Sequence, residues 1–494
     1  MGILDKPSYT KPLGGIPKTD LATAVQSSLD ASAALAPRSW RQSATRCSVP
    51  DITATANKQT FSRTYHVAAD YITSIKLGYV GGICAATTET LPGAAATVRA
   101  SIEMDGSVVR VNFSGATDGT IPIGGLVVSD EVTLPRPLRK GEGFYVRTWQ
   151  SSAWGIMYNV ARGSSLNTLA SLPTNGQFLT FGVTTPDLTG VTTLPTTNAT
   201  NGTFGPALIL SNSSNPALLV CGDSRTRGQN EIIAGALNAY AGLGNLDRRL
   251  NKEFATLTVA ISGETAANVA GSNWVFRALV VPYFTNAVIA LGINDVTATT
   301  PAATILDSIY SFINGKLGGI PSIVATIEPR TSSTDNYLTT TNQTKHVNNG
   351  IRVTFNQYIR QGLGYPIVGY IENADAVESG RDSGLWKPAI RIATDGVMTS
   401  GSAVLTSATA NFSLSDVGRH FVISGAGAAG VALLTNVASY TSQTSVTLAV
   451  AASTTVSAAT IDAPYTNDGI HATKTGTVAM EFSGGHDALG VLRK

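Results

Sequence analysis

Short apolar runs that alternate with helical patterns after residue 216 constrain the fold more than any other feature of this sequence. The runs are mostly aliphatic, as strands are when both faces of a sheet are covered, and they read ALLVC, TLTVAI, AVIALG, SIVATIE and IVGYI. Between them, segments such as TPAATILDSIYSFINGKLGG space their apolar residues at helical intervals. Residues 216–395 together with 464–494 therefore predict an α/β domain with a doubly wound parallel sheet.

Residues 41–215 show a different pattern, in which short alternating runs such as ATVRASIEMDG and GFYVRTWQSS are separated by clusters of turn residues. A period of two is typical of strands that bury one face, and frequent turn residues are typical of antiparallel connections. This region predicts an all-β, sandwich-like domain.

Residues 1–40 predict a helix after an irregular start. Thr19 or Asp20 can cap a helix that runs to Ala36, before a proline. Steps of four from Leu21 describe an ordinary amphipathic face slightly better than the broken heptads of a coiled coil. A helix packed on its own chain and a trimerisation segment are both open.

Residues 396–463 interrupt the alternation of strands and helices. This stretch is rich in Thr, Ser, Val and Ala, contains glycine turns and carries hardly any charge. It predicts a small all-β module inserted before the last helix, and such insertions are tolerated where a surface loop has close ends. Receptor contact, subunit contact and a plain spacer are all open as its role.

Polar residues stand directly after three of the apolar runs and before the terminal helix. The blocks read CGDSRTRG, AISGET, ALGINDV and YTNDGIHATKTG, and their candidate site residues are Ser224, Gly263, Asn294, Asp468 and His471. Because the carboxyl ends of parallel strands meet at one edge of a sheet, we expect these residues to lie close together.

These residue types suit nucleophilic catalysis. A serine hydroxyl is a poor nucleophile unless a base takes its proton, and His471 is the candidate base. Asp468, three residues earlier, can hold the imidazole in the right tautomer, and Gly263 has no Cβ to obstruct an approaching ester. Each residue also has an ordinary interpretation as a turn, a helix cap or a surface side chain.

In order and context the four blocks resemble the SGNH (GDSL-type) hydrolase family, whose members are esterases and acyl-ester hydrolases. The resemblance covers about 215–395 and 464–494 and implies an α/β/α fold. It implies a triad of Ser224, His471 and Asp468. It also implies an oxyanion hole made by the backbone N–H groups of Ser224 and Gly263 and the side-chain amide of Asn294. No metal or other cofactor is implied.

Arg225 and Arg227 depart from the apolar or small residues that often follow the serine in that family. We interpret them as contacts to substrate or to solvent near the pocket, with solvent favoured.

Two further resemblances imply a virus particle as the setting of this chain. GGIPKTDLATAVQSSLDAS near the start resembles the amino-terminal segment of phage tail fibres and tailspikes, and residues 396–463 resemble a β-module of phage tail proteins. They imply a homotrimer that is attached to other tail proteins through its amino terminus and acts extracellularly on the bacterial surface. The start lacks the apolar stretch of a signal peptide, and no later run is long enough to span a bilayer.

Charge and cysteine content exclude several other classes. A formal net charge of +2 gives no strong attraction to nucleic acid or to an acidic membrane. Cys47, Cys84 and Cys221 are too scattered for a disulfide framework or a metal cluster.

Together these features predict a phage tail-associated esterase that removes acyl groups, O-acetyl in particular, from host surface polysaccharide. Two alternatives stay open: a receptor-binding tail fibre that uses a hydrolase-like scaffold without catalysis, and a bacterial lipase or acyl esterase of the same family. Glycan binding without acetate release would indicate the first, and a preference for fatty-acyl chains would indicate the second.

Overall fold

The structure, a computed structural model, describes residues 39–85, 87–160, 177–192, 194, 202–231 and 244–482. The helix predicted within residues 1–40 lies outside these ranges. The described chain is rich in strands, contains few and mostly short helices, and forms several sheets, so the prediction of a mixed, multidomain chain is confirmed. Within these ranges no helix has the length and apolar character needed to cross a membrane.

Four antiparallel sheets, two large and two small, form the part predicted as sandwich-like, and the two large ones enclose its core. The strands of this part are β1 (Ser39–Gln42), β2 (Ala44–Thr45), β3 (Cys47–Ser48), β4 (Ile52–Ala54), β5 (Gln59–Ala68), β6 (Ile72–Val80), β7 (Ile83–Ala85), β8 (Thr88–Thr90), β9 (Ala96–Met104), β10 (Ser107–Val111), β11 (Gly119–Ile121), β12 (Leu126–Val128), β13 (Val132–Leu138), β14 (Gly143–Ser152), β15 (Ile156–Val160), β16 (Phe178–Gly182), β17 (Gly202–Thr203) and β18 (Leu208–Ser213). One sheet has the order β1-β18-β6-β12 with β13 on β6, and the other the order β10-β9-β14-β5-β16 with β11 on β9 and β2 on β5. Residues of β9 and β14 in one sheet share a single hydrophobic core with residues of β6 and β18 in the other.

A parallel sheet with helices forms the next part of the chain. Its elements are β19 (Ala217–Gly222), α1 (Gly244–Leu250), β20 (Ala255–Thr258), α2 (Ala266–Ala270), β21 (Asn286–Ala290), α3 (Ile293–Thr297), α4 (Ala302–Gly315), β22 (Ser322–Ala325), the hairpin β23 (Thr331–Ser333) and β24 (Gln343–Lys345), α5 (Asn349–Arg360), β25 (Ile367–Ile371), α6 (Ala374–Val377) and, after an insertion, α7 (Lys474–Phe482). The sheet order is β25-β22-β21-β19-β20-β3, and all pairings are parallel. The strand order reverses beside β19, which is where sheets of this type bind ligands.

Both faces of the parallel sheet are covered, as its apolar strands predict. Along β19, Leu219 and Cys221 belong to the large core with α4 and α5, whereas Leu218 and Val220 belong to a second core with α1. Every residue of β19 is buried. The site at the end of this strand therefore starts from a rigid, fully packed element.

The short strand β3 is a departure from the predicted domain division. It lies within residues 41–215, yet it pairs with β20 and extends the parallel sheet at its edge. The large core also runs without interruption from the antiparallel sheets into the α/β part. The two parts are packed together as one body around that core.

A closed six-stranded barrel forms the insertion before α7. Its strands are β26 (Ile390–Met398), β27 (Val404–Thr406), β28 (His420–Ile423), β29 (Leu433–Ser442), β30 (Ser445–Leu448) and β31 (Val456–Ala463), in the order β26-β27-β30-β29-β28-β31. It has a hydrophobic core of its own. The first strand starts at Ile390 and pairs there with Ala463, so the module begins before the predicted boundary at 396. Gly396, the predicted first residue of the module, lies inside this strand.

Candidate active site

Ser224 lies two residues beyond the end of β19, in a tight turn. A Cβ on Gly222 would lie 2.1 Å from Oγ1 of Thr226 and 3.0 Å from the carbonyl oxygen of Ala290, so only glycine fits there. The carboxylate of Asp223 accepts a hydrogen bond from the backbone N–H of Arg225 at 2.9 Å. These contacts fix the turn that presents the serine.

A chain of hydrogen bonds joins three of the predicted site residues. Nε2 of His471 lies 2.8 Å from Oγ of Ser224, and Nδ1 of His471 lies 2.7 Å from Oδ2 of Asp468. Ser224 is 8% exposed and His471 is 7% exposed, so the bond between them is largely shielded from water, whereas the Asp468 side chain is 35% exposed. The structure therefore brings together residues that are 247 positions apart along the chain.

Asp468 is held as an anion by its hydrogen-bond donors. Burial alone would raise the pKa of its carboxyl group, but the His471 side chain and the backbone N–H groups of His471 and Ile470 outweigh burial and lower that pKa to about 2. Both backbone bonds to Oδ1 are 2.8 Å long. The amide of Asn230 donates a further hydrogen bond of 2.6 Å to Oδ2. Such a carboxylate orients an imidazole and stabilises its protonated form.

The loop that carries Asp468 and His471 is anchored through Gly469. This residue has φ +78°, and a Cβ there would lie 1.9 Å from the carbonyl oxygen of Thr331. The Gly469 carbonyl accepts hydrogen bonds of 3.0 Å from the Thr331 backbone N–H and the Trp386 indole N–H. The position of the imidazole therefore depends on elements that precede the barrel in the chain.

Gly263 and Asn294 lie beyond the strands on either side of β19. The segment after β20 is tied to the serine turn, because the N–H of Ile261 donates to the carbonyl of Gly222 at 3.1 Å. The backbone at Gly263 has φ +81°, which favours glycine. Asn294 lies in the first turn of α3, and its amide donates a 3.0 Å hydrogen bond to the Glu264 carbonyl. Both residues thus belong to loops that meet at the carboxyl edge of the sheet.

A buried carboxylate in α3 connects the loop after β21 to the loop after β20. The carboxylate of Asp295, next to Asn294, accepts hydrogen bonds of 3.1 and 3.0 Å from the backbone N–H of Ala266. Burial raises the pKa of Asp295, and backbone donors act in the opposite direction.

The expectation that Arg225 and Arg227 contact substrate or solvent is wrong, because both side chains form ion pairs with carboxylates of this chain. The Arg225 side chain is 5% exposed and pairs with the carboxylate of Glu328 at 2.7 Å. Arg227 pairs with Asp51 from the antiparallel part of the chain. Both guanidinium groups are therefore paired within the protein, as buried charges must be, and they connect the serine turn to Glu328 and Asp51.

Several residues of this neighbourhood were missed by the sequence patterns. Glu328 ends the apolar run SIVATIE and bonds both Arg225 and the amide of Asn245, at 2.7 and 2.6 Å. Asn230 contacts Asp468, and its backbone has φ +68°. The only available signal was position: Glu328 follows a strand end, and Asn230 follows the serine block. Among the described residues, no group of three or more His, Cys, Asp and Glu side chains could hold a metal ion.

Neither a protein-family model nor a curated protein matches this chain. Similar solved structures include a salicylyl-acyltransferase from a tetracycline biosynthetic pathway, at 11% identity over 64% of this chain and 70% of that one, with a TM-score of 0.24. A protein described as a GDSL-like lipase from Bacteroides ovatus shows 14% identity over 67% of this chain and 77% of that one, with a TM-score of 0.24. A carbohydrate acetylesterase from Sinorhizobium meliloti shows 14% identity over 33% of this chain and 85% of that one, with a TM-score of 0.21. Because these TM-scores are low, the chemistry of the site rests on the residues of this chain alone.

Proposed function

We propose that this protein is a serine esterase with Ser224 as its nucleophile. The observation that carries the proposal is the unbroken chain of hydrogen bonds from Asp468 through His471 to Ser224. Each group has the partner that its part in acyl transfer requires: the hydroxyl faces a base, and the base faces a carboxylate.

In the first half of the reaction, Oγ of Ser224 attacks the carbonyl carbon of the ester while its proton passes to Nε2 of His471. The imidazolium that forms is stabilised by Asp468 through Nδ1–H. The tetrahedral intermediate then collapses, the alcohol leaves with the proton from His471, and the acyl group stays on Ser224. Water attacks this acyl-enzyme by the same route in reverse and releases the acid.

The developing oxyanion needs hydrogen-bond donors near Ser224. We assign this task to the backbone N–H groups of Ser224 and Gly263 and to the amide of Asn294. Support comes from the loops after β19, β20 and β21, which meet at one edge of the sheet and are tied together by buried hydrogen bonds. Loss of one such donor typically lowers turnover by about 10² to 10³.

For the substrate, we propose O-acetyl groups on bacterial surface polysaccharide, and for the setting a trimeric phage tail protein. The support is the resemblance of the amino-terminal segment and of residues 396–463 to phage tail proteins. Acetate release from purified polysaccharide of the host would support the substrate. A monomeric mass in sedimentation equilibrium would contradict the trimer.

The esterase proposal is tested by Ser224→Ala with p-nitrophenyl acetate as substrate. We expect kcat to fall by at least about 10⁴, because alanine has no hydroxyl with which to form the acyl-enzyme. Ser107→Ala is the matched control: this serine is exposed on β10 in the antiparallel part, and its loss should leave turnover unchanged. Unchanged turnover in Ser224→Ala would show that ester hydrolysis does not depend on this site.

A further inference from the structure

Arg330 lies at the point where the serine turn and the histidine loop meet. The guanidinium of Arg225 donates to the carbonyl of Pro329 at 2.9 Å, and the backbone N–H of Thr331 donates to the carbonyl of Gly469 at 3.0 Å. The residues on either side of Arg330 are therefore fixed by the loops that carry Ser224 and His471. The backbone of Arg330 is thus held between the serine turn and the histidine loop.

The side chain of Arg330 reaches toward the helix that carries Asn294. Its Nη1 donates to Oγ1 of Thr297, the last residue of α3. Arg330 thus connects three of the loops that build the candidate site. Its side chain is only half-buried, unlike the buried side chain of Arg225.

Arg330 differs from Arg225 and Arg227 in that it forms no ion pair with a described residue. Arg225 and Arg227 pair with Glu328 and Asp51, whereas no carboxylate of the described residues lies within ion-pair distance of the Arg330 guanidinium. Burial and the charge of Arg225 lower the pKa of Arg330, and Asp468 partly offsets them. A guanidinium still stays charged at neutral pH. Within the described ranges, this guanidinium therefore has no ion-pair partner, although the charge of Asp468 acts on it.

We infer that Arg330 binds a carboxylate of the substrate, so that the esterase acts on acidic substrates. This inference rests on the proposed function. With Nη1 engaged by Thr297, the remaining N–H groups of the guanidinium are available to an anion, and a guanidinium and a carboxylate match each other in geometry and charge. The carboxylate can belong to the sugar, as in a uronic acid, or to the acyl group, as in a succinyl ester.

The first test measures binding without turnover, in the Ser224→Ala protein. Isothermal titration at low ionic strength compares O-acetylated oligogalacturonides, which carry carboxylates, with neutral O-acetylated xylo-oligosaccharides. For a sugar carboxylate we expect about tenfold tighter binding of the acidic probe, lost when Arg330→Gln is added and partly kept with Arg330→Lys. Arg381→Gln removes an exposed arginine that pairs with Asp375, and it should leave the preference unchanged.

The second test uses the active protein and separates the two sources of the carboxylate. The ratios of kcat/KM are measured for acidic against neutral acetylated oligosaccharides, and for p-nitrophenyl succinate against p-nitrophenyl butyrate. Arg330→Gln should lower one of these ratios by about tenfold and so identify the source.

Two outcomes would overturn the inference. One is that the protein prefers none of the acidic probes to their neutral counterparts, or that its preference persists in Arg330→Gln. The other is an equal loss on acidic and neutral esters, which would indicate that Arg330 only holds α3 through Thr297. If the wild-type protein hydrolyses no ester at all, the proposed function fails, and the titration still decides whether Arg330 binds a carboxylate.

Discussion

At the scale of single residues, two carboxyl groups near Ser224 have pKa values shifted in opposite directions. Burial raises the pKa of Asp223 to about 7, although Arg225 acts against it. Asp468 is only partly buried and accepts several hydrogen bonds, which lower its pKa to about 2. Asp468 is therefore the group that stays ionised at any working pH and can support a charged imidazole.

We predict that Asp468→Asn lowers kcat for p-nitrophenyl acetate by about 10² to 10⁴ while Ser224 stays in place. An amide cannot stabilise the imidazolium, and it can favour the wrong tautomer. Because the pKa of Asp468 is about 2, this carboxylate stays ionised in the wild type as the pH falls from neutral to 4. Its protonation should therefore not lower the rate over that range.

The measurement is a pH profile of kcat/KM for the wild type, for Asp468→Asn and for Asp118→Asn. The last variant breaks an exposed ion pair with Arg99 in the antiparallel part and should behave as the wild type. An Asp468→Asn rate equal to the wild-type rate across the profile would argue against a role for this carboxylate.

The meeting of the candidate residues at one edge of the sheet could be predicted from the sequence, but the partners that hold them there could not. Ser224, Gly263 and Asn294 follow apolar runs, and the ends of parallel strands meet at one edge whatever the details of packing. The partner of Arg225 is Glu328, 103 positions away, and no periodic pattern links them. Buried ion pairs of this kind depend on tertiary packing.

At the scale of the element, the loop before α7 determines where the imidazole lies. We predict that Gly469→Ala lowers kcat by about 10²-fold, because a displacement of about 1 Å is enough for such a loss. The same change should lower the free energy of unfolding by about 1 to 3 kcal/mol, since the new Cβ meets the Thr331 carbonyl in a left-handed backbone. Steady-state kinetics and urea unfolding measure the two effects.

Gly401→Ala is the control that introduces backbone strain without a steric clash of the new Cβ. Gly401 also has a positive φ, +81°, but a Cβ there meets no atom within 4 Å. This variant should cost about 1 kcal/mol of stability and keep full turnover. Equal turnover in Gly469→Ala and Gly401→Ala would mean that the histidine loop tolerates movement.

At the scale of the whole molecule, the barrel is both an insertion and a support for the site. Lys474 at the start of α7 donates to the Val417 carbonyl at 2.6 Å, and Arg419 donates to Thr475 at 3.2 Å. Burial lowers the pKa of His420, the first residue of β28, and the charge of Asp468 acts in the opposite direction. The barrel thus contacts the helix that follows His471.

We predict that excision of the barrel leaves a folded protein with impaired catalysis. The first and last residues of the module, Ile390 and Ala463, are paired neighbours, so a short linker can join Ala389 to Pro464. Turnover of p-nitrophenyl acetate should fall by about 10- to 100-fold, because α7 loses its contacts with the barrel. Circular dichroism checks the fold, and Arg419→Ala, which removes one contact, should have a smaller effect. Full turnover after excision would assign the barrel a role unrelated to the site.

The broad organisation of the molecule followed from sequence periodicity, whereas the way its parts join did not. A region of alternating strands, a region of apolar strands with helices and an inserted β-module can each be seen as a change of pattern. Strand β3 contains only Cys47 and Ser48, too few residues to show any period, and its place beside β20 depends on the common core. The barrel boundary was missed because Gly396 lies inside a strand.

The distance of 247 positions between Ser224 and His471 has a consequence for biosynthesis. A ribosome adds residues at about 5 to 20 per second, so the hydroxyl emerges roughly 10 to 50 s before the imidazole that would activate it. Nascent chains, and any product of premature termination within this interval, carry a serine with no base. The proposed esterase activity therefore requires synthesis to have passed His471.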